Sequence, residues 1–291
     1  MVGQVVSQQE PMGTSQTGRL TPEQKRFYAE NGYLVFENVL APEELAALRD
    51  ASERLQEERK KLGGETRLAV IHNVALLDDA FMMAARHPYM LAVASDLIGE
   101  NLRLQHCKLN WKPPAVGAGE VGWHQDFPFF PHTNYDLLAC MFLLDDATPE
   151  NGCMRMIPGS HQRGPVDHYD AQGKFTGRAT NPQDWEPDER SGNVADLVVP
   201  AGSMTVHHCC TLHASYPNRS ATPRRGLVYQ ISAGDAIQLG GNLHKVYGTW
   251  LQGADPLRAR LLDGTTFRLT APLTNRGGLE PTGDWKTITQ D

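Results

Sequence analysis

The feature that most constrains the fold is Trp123-His124-Gln125-Asp126-Phe127. On an extended strand, residues i and i+2 project to the same face, so His124 and Asp126 can grip one metal ion from one side. Two ligands do not complete a stable site. A third must arrive from far along the chain, and the fold must be one that makes distant strands converge. His213, inside His213-Ala214-Ser215-Tyr216-Pro217-Asn218-Arg219-Ser220, is the candidate. Two imidazoles and one carboxylate on one face of an ion form a facial triad, which leaves the opposite positions open.

The rest of the chain supplies strands for such a fold. Thr21-Pro22-Glu23-Gln24 predicts a helix start, with Thr21 as cap, Pro22 at the first position and Gln24 closing a capping box. Gly32 ends that helix, and Tyr33-Leu34-Val35-Phe36 reads as a strand. A longer helix starts at Ala41-Pro42-Glu43-Glu44, with Leu45, Leu48, Ala51 and Leu55 on one stripe and Arg59-Lys60-Lys61 at its C-terminal end. Residues 66–87 carry no clear period. Pro88 to Ile98 predicts a helix stopped by Gly99. Leu102 to Trp111 looks extended, with Leu102 and Leu104 alternating with Arg103 and Gln105, until Lys112-Pro113-Pro114 breaks it.

Beyond the His-x-Asp pair, Leu137 to Leu144 is short and apolar enough for a buried strand. Cys153 to Ile157, Leu197 to Val199, Met204 to Val206 and Leu227 to Ile231 add further strands. Residues 162–194 are polar and aperiodic; a loop of that length in a compact domain points to a role such as an active-site lid. Short strands after a helical N-terminal part predict a barrel or two-sheet sandwich with helices outside. Residues 1–20, rich in Gln, Ser, Gly and Thr, read as a disordered tail, and residues 21–291 as one domain.

Composition narrows the function. A net charge of −7 over 291 residues argues against nucleic acid as the main partner, since phosphate binding needs concentrated basic surface. No run approaches the length of a membrane span, and the first twenty residues do not read as a signal peptide. Five cysteines with no C-x2-C pair suggest reduced, buried thiols and a cytoplasmic protein. A monomer or homodimer is expected.

From Asn110 to Arg225 the pattern resembles the phytanoyl-CoA dioxygenase family of Fe(II)/2-oxoglutarate oxygenases, including its ectoine-hydroxylase-like branch. The pieces that carry the resemblance are Asn110-Trp111-Lys112-Pro113, His124-Gln125-Asp126, Leu144 to Gly152, Ile157-Pro158-Gly159-Ser160-His161, Pro200-Ala201-Gly202-Ser203 and His213 to Arg225. The opening helix and Asn31-Gly32-Tyr33-Leu34-Val35 also fit. The resemblance implies a mainly β, cupin-like double-stranded β-helix, or jelly roll, with flanking helices. It implies Fe(II) held by His124, Asp126 and His213. It implies that Arg224 anchors the distal carboxylate of 2-oxoglutarate, with Ser215 donating to the same carboxylate and Asn110 as a further contact. A guanidinium suits that task, because it pairs bidentately with a carboxylate. Arg225 is adjacent and would point the other way. The implied reaction converts 2-oxoglutarate and O2 to succinate and CO2 while a C–H bond of a small organic substrate, such as a natural-product intermediate, is oxidised.

Other residues compete for roles. His207, His208, Cys209 and Cys210 read as decoys: neighbours on a strand face opposite sides, and thiolates favour a softer, tetrahedral site. Phe127, Phe129 and His132 are candidates for the substrate wall, with Tyr135 and Trp185 as further contributors. Two other functions remain open from sequence: a protein or peptide hydroxylase on the same scaffold, and a binding jelly roll without turnover.

Overall fold

The computed structural model describes residues 18–61, 69–114, 119–241 and 244–269. Most of the expected N-terminal tail, residues 1–17, therefore lies outside the described residues. Leu20 is buried, and its backbone N–H donates to Asp96 at 2.8 Å. Helix α1 (Pro22–Asn31) begins as the sequence predicts. The Gln24 N–H donates to the Thr21 hydroxyl, and the Gln24 side chain accepts from the Thr21 N–H. Gly32 ends the helix at φ 81°, and a Cβ there would lie 2.5 Å from His161 Nδ1 and Thr211 Oγ1. The glycine thus lets the helix end close against the segment that leads to His213.

Strand β1 (Tyr33–Phe36) and helix α2 (Pro42–Lys61) follow. The unassigned stretch holds β2 (Ala69–His72) and α3 (Asp79–Ala85), elements too short to show a period. Helix α4 (Pro88–Ile98) stops at Gly99. Then come β3 (Leu102–Lys112), β4 (Val121–His124), β5 (Leu137–Leu143) and β6 (Met154–Met156). Helix α5 (Glu186–Ser191) and strands β7 (Ala195–Leu197), β8 (Met204–His208), β9 (His213–Ser215) and β10 (Arg224–Ala233) complete the central part. Strands β11 (Thr249–Gln252), β12 (Arg258–Arg260) and β13 (Thr266–Arg268) close the described chain.

The main sheet runs β1-β8-β5-β10-β3, with β2 and β11 both on the far edge of β3. The second sheet runs β4-β9-β6-β7, and every pairing in both is antiparallel. One cavity is lined from both sheets, the arrangement of a double-stranded β-helix. Helix α4 and the apolar side of β3 share the largest buried cluster. The five cysteines are free and buried. No helix among the described residues is long and apolar enough to cross a membrane.

Two expectations need correction. The apolar and polar alternation read at the start of β3 does not separate a buried from an exposed face: residues 102–107 are all buried. Arg103 tolerates this because its guanidinium donates to the Gly234 carbonyl and lies 4.8 Å from the Trp250 ring centre. The 162–194 stretch is not featureless. It contains α5 and 3-10 turns, and Arg163 clamps Asp188 bidentately at 2.8 and 3.0 Å. A six-residue helix rich in charge leaves no apolar stripe to read.

Candidate active site

Strands β4 and β9 pair so that His124 lies opposite His213, with ring centres 4.0 Å apart. Asp126 joins them by a different route from the one its spacing suggests. Strand β4 ends at His124, and Asp126 takes helical backbone angles (φ −75°, ψ −35°) as it opens a 3-10 turn. The turn, not strand alternation, aims the carboxylate. Ligand atoms of the three residues all lie within 4.8 Å of one another.

Each of these side chains is oriented by a neighbour. His124 Nδ1 sits 2.9 Å from the Gly122 carbonyl, and His213 Nδ1 sits 3.0 Å from the Thr211 carbonyl. A carbonyl only accepts, so Nδ1 carries the proton and the Nε2 lone pair is free for a metal. Asp126 Oδ2 accepts from Gln230 Nε2 at 2.6 Å and from His207 Nε2 at 3.0 Å, while Oδ1 lies 3.9 Å from His213 Nε2. Burial pushes the Asp126 carboxyl up, but His213 and His207 prevail and hold it well below the usual range. Burial lowers His124 to about 4 and keeps His213 well below its ordinary value. The protein alone thus presents neutral imidazoles and an ionised carboxylate, the protonation states a divalent cation needs.

The other end of the cavity is cationic. Arg224, opposite Lys112 in the β10–β3 register, is 2% exposed, and its Nε and Nη2 have no hydrogen-bond partner among the described residues. Burial lowers it to about 10. Lys112 Nζ donates to Ser215 Oγ at 2.7 Å and to the Tyr216 carbonyl. Burial, then the nearby Arg224, brings Lys112 down to about 7. Asn110 lines the same wall, with its Oδ1 also unpartnered. A buried guanidinium left without a counter-ion costs several kcal/mol, on the order of a broken buried ion pair. A carboxylate arriving from solution would remove that cost, and Ser215 would have its O–H free to donate to it.

A cavity of about 230 Å³ connects the two ends. It brings together His124, Asp126, His213, Arg224, Ser215, Asn110 and Phe129. It does not include Phe127 or His132. Phe127 turns away with the 3-10 turn and packs edge-on to Tyr135, ring centres 4.9 Å apart, so neither lines the cavity. His132 bridges to Gln238, and its Nδ1 is tied to the Phe130 carbonyl at 2.7 Å. Trp185 packs in a separate cluster with Trp123 and Leu212.

Sequence reasoning missed Lys112, His207 and Gln230, and passed over Lys108, which also lines the cavity. Lys112 looked like a strand terminator, and Gln230 was hidden in an apolar run. His207 and His208 do face opposite ways, but the inward one is no decoy: it holds Asp126. The 162–194 segment meets the metal end at several points. Phe175 packs edge-on to Phe129, and the Gln125 N–H donates to His168 Nε2 at 3.0 Å. The Gln125 side chain in turn binds the Gly164 and Cys210 carbonyls. His208, Cys209 and Cys210 also bring donor atoms within 4.8 Å of one another, but burial keeps the Cys209 thiol protonated.

Comparison with known proteins agrees with this geometry. The phytanoyl-CoA dioxygenase (PhyH) family profile matches residues 28–226. A probable alpha-ketoglutarate-dependent hypophosphite dioxygenase of Stutzerimonas stutzeri is 35% identical over 236 residues, spanning 75% of this chain and 81% of that protein. The ectoine dioxygenase of Bordetella bronchiseptica is 28% identical over 226 residues, 70% of this chain and 73% of the relative. Among solved structures, the non-heme alpha-ketoglutarate-dependent carbocyclase SnoK of nogalamycin biosynthesis superposes with a TM-score of 0.67 at 26% identity, covering 79% of this chain and 91% of its own. The ectoine-hydroxylase branch is therefore one of several that the chain resembles. With more than half its length matched by the profile and a relative at 35% identity, the chain belongs to the phytanoyl-CoA dioxygenase family.

Proposed function

We propose that the protein is an Fe(II)- and 2-oxoglutarate-dependent dioxygenase acting on a small molecule, with 2-oxoglutarate and O2 converted to succinate and CO2. The observation that carries this reading is one cavity with three convergent ligand atoms at one end and, at the other, a buried guanidinium whose Nε and Nη2 have no partner among the described residues. His124, Asp126 and His213 would hold the iron. Arg224 and Ser215 would take the distal carboxylate of 2-oxoglutarate, with Lys112 behind Ser215 and Asn110 alongside. When bound, iron and 2-oxoglutarate together supply the oxidising power for attack on an unreactive substrate bond.

The protein's own contribution is positional. His207 and Gln230 hold Asp126 so that Oδ1 is left for the metal. The Gly122 and Thr211 carbonyls fix the imidazole tautomers. Phe129, braced by Phe175, walls the metal end beside His124. A cavity of about 230 Å³ supports a small substrate over a peptide. Intact His124, Asp126, His213 and Arg224 support turnover over a binding-only role. The test is succinate release from 2-oxoglutarate with Fe(II) and O2. Asp126→Ala should abolish it; retained release would remove Asp126 from the triad.

A further inference from the structure

We propose that Lys108 docks a substrate bearing a small oxyanion, a carboxylate, phosphonate or phosphinate group, at the metal end of the cavity. This inference rests on the assignment of Arg224 to 2-oxoglutarate made above. The β10–β3 register sets up a ladder on the inner face: Arg224 faces Lys112, Gly226 faces Asn110, Val228 faces Lys108, and Gln230 faces His106. Gln230 binds Asp126, so its rung is the metal end. Lys108 sits one rung from it. Lys112 lies four residues further along the strand, about 13 Å at about 3.3 Å per residue.

The two lysines differ in what they already hold. Lys112 is spent on Ser215 and the Tyr216 carbonyl. The Lys108 ammonium lines the cavity and forms no hydrogen bond or ion pair among the described residues. Its cross-strand neighbour His72 stands with His106 and His244, ring centres 5.2 Å (His72–His244) and 4.5 Å (His106–His244) apart. Burial first, and then neighbouring positive charge that includes Lys108, lowers all three imidazoles. None of the three lines the cavity, and they supply no counter-charge to Lys108.

Charge counting points the same way. With Lys112 neutral, a divalent iron, the Asp126 carboxylate, dianionic 2-oxoglutarate and the Arg224 guanidinium cancel one another; with Lys112 as the ammonium, a further positive charge is added at the far end. Lys108 is then a positive charge in a low-dielectric cavity with nothing left to neutralise it. A substrate anion completes the balance. Because 2-oxoglutarate shares the same cavity, the space that remains suits only a small molecule.

The test is equilibrium binding to the protein loaded with Fe(II) and 2-oxoglutarate without O2, by calorimetry and by the visible spectrum of the complex. The probes are methylphosphonate, hypophosphite and acetate, with the neutral ester dimethyl methylphosphonate as comparator. At least one anion should bind saturably, and the neutral ester should not. Lys108→Met should weaken that anion on the order of tenfold or more and leave 2-oxoglutarate affinity within about twofold, with Lys108→Arg restoring much of the loss; retained 2-oxoglutarate binding also shows that the variants fold. The proposal is overturned if no anion binds the wild type, if the ester binds as well, or if Lys108→Met weakens 2-oxoglutarate as much as the anion. The last result would assign Lys108 to the co-substrate. A wild type that takes up no 2-oxoglutarate would instead overturn the parent reading, and this one with it.

Discussion

Arg224 and Arg225 are neighbours on one strand and meet opposite surroundings. On the outer face, Arg225 is saturated. Its Nε and Nη2 grip Asp145 at 2.8 and 2.7 Å, its backbone N–H donates to the same carboxylate, and Glu53 lies 3.2 Å from Nη1. The guanidinium also lies 5.2 Å from the Trp111 ring centre. On the inner face, Arg224 Nε and Nη2, Asn110 Oδ1, Gln230 Oε1 and His207 Nδ1 are buried without partners among the described residues. Folding normally satisfies such groups. The difference teaches that the outer face is finished by the chain itself, whereas the inner face is completed by what enters it.

The comparison can be broken most sharply by exchanging the two arginines' fates. Arg224→Ala should raise the KM for 2-oxoglutarate on the order of 100-fold, the worth of a bidentate charged pair. It should leave thermal stability unchanged or slightly higher, since an uncompensated buried charge is gone. Arg225→Ala should do the reverse. Among the described residues it leaves Asp145 with only the backbone N–H and Arg49 at 4.0 Å, and should cost about 2 kcal/mol of stability, with KM for 2-oxoglutarate nearly unchanged. Steady-state kinetics and thermal melts on both variants decide it, and the opposite ordering would mean that Arg225 serves the co-substrate.

A second, smaller effect sharpens the reading of the inner polar groups. His207→Ala or Gln230→Ala removes one of the two donors that fix Asp126. Either should weaken Fe(II) binding by about 10- to 100-fold, the usual cost of losing such an orienting bond. Anaerobic metal titration measures it; wild-type affinity in both would make these contacts incidental.

The smallest effect is a pH dependence. Lys112 falls to about 7 in the folded protein, first through burial and then through Arg224. A carboxylate arriving beside it favours the ammonium, so 2-oxoglutarate binding takes up a proton above that pH. The KM for 2-oxoglutarate should therefore rise, by less than about tenfold per pH unit, as pH climbs from about 7 to 9. Lys112→Met should flatten this rise. The same lowered value means that the unfolded chain holds more protons than the folded one between about 7 and the ordinary value of 10.5, so this residue makes stability increase with pH across that window. A profile unchanged by Lys112→Met would remove the lysine from the co-substrate end.

Much of the site was legible because its signals are local. The capping box at Thr21 and the adjacent arginines each announce a geometry through neighbouring residues alone, and the His-x-Asp pair marks two residues that do converge, although a turn rather than strand alternation aims Asp126. What stayed hidden depends on register. Gln230 meets Asp126 because β10 and β5 pair as they do, and nothing around Gln230 in the chain marks it. Phe127 and His132 misled because nearness to the His-x-Asp pair along the chain does not become nearness to the cavity: a 3-10 turn follows Asp126, and neither side chain lines the cavity. The short helices between residues 78 and 191 escaped for a simpler reason: six or seven residues do not complete two turns, so no apolar stripe forms.

The most direct measurement is the visible spectrum of the protein with Fe(II) and 2-oxoglutarate in the absence of O2. A weak charge-transfer band should appear at one equivalent of each in the wild type and vanish in Asp126→Ala. Iron bound at full occupancy with 2-oxoglutarate present and no band, or a band that survives Asp126→Ala, would contradict a metal seated by His124, Asp126 and His213.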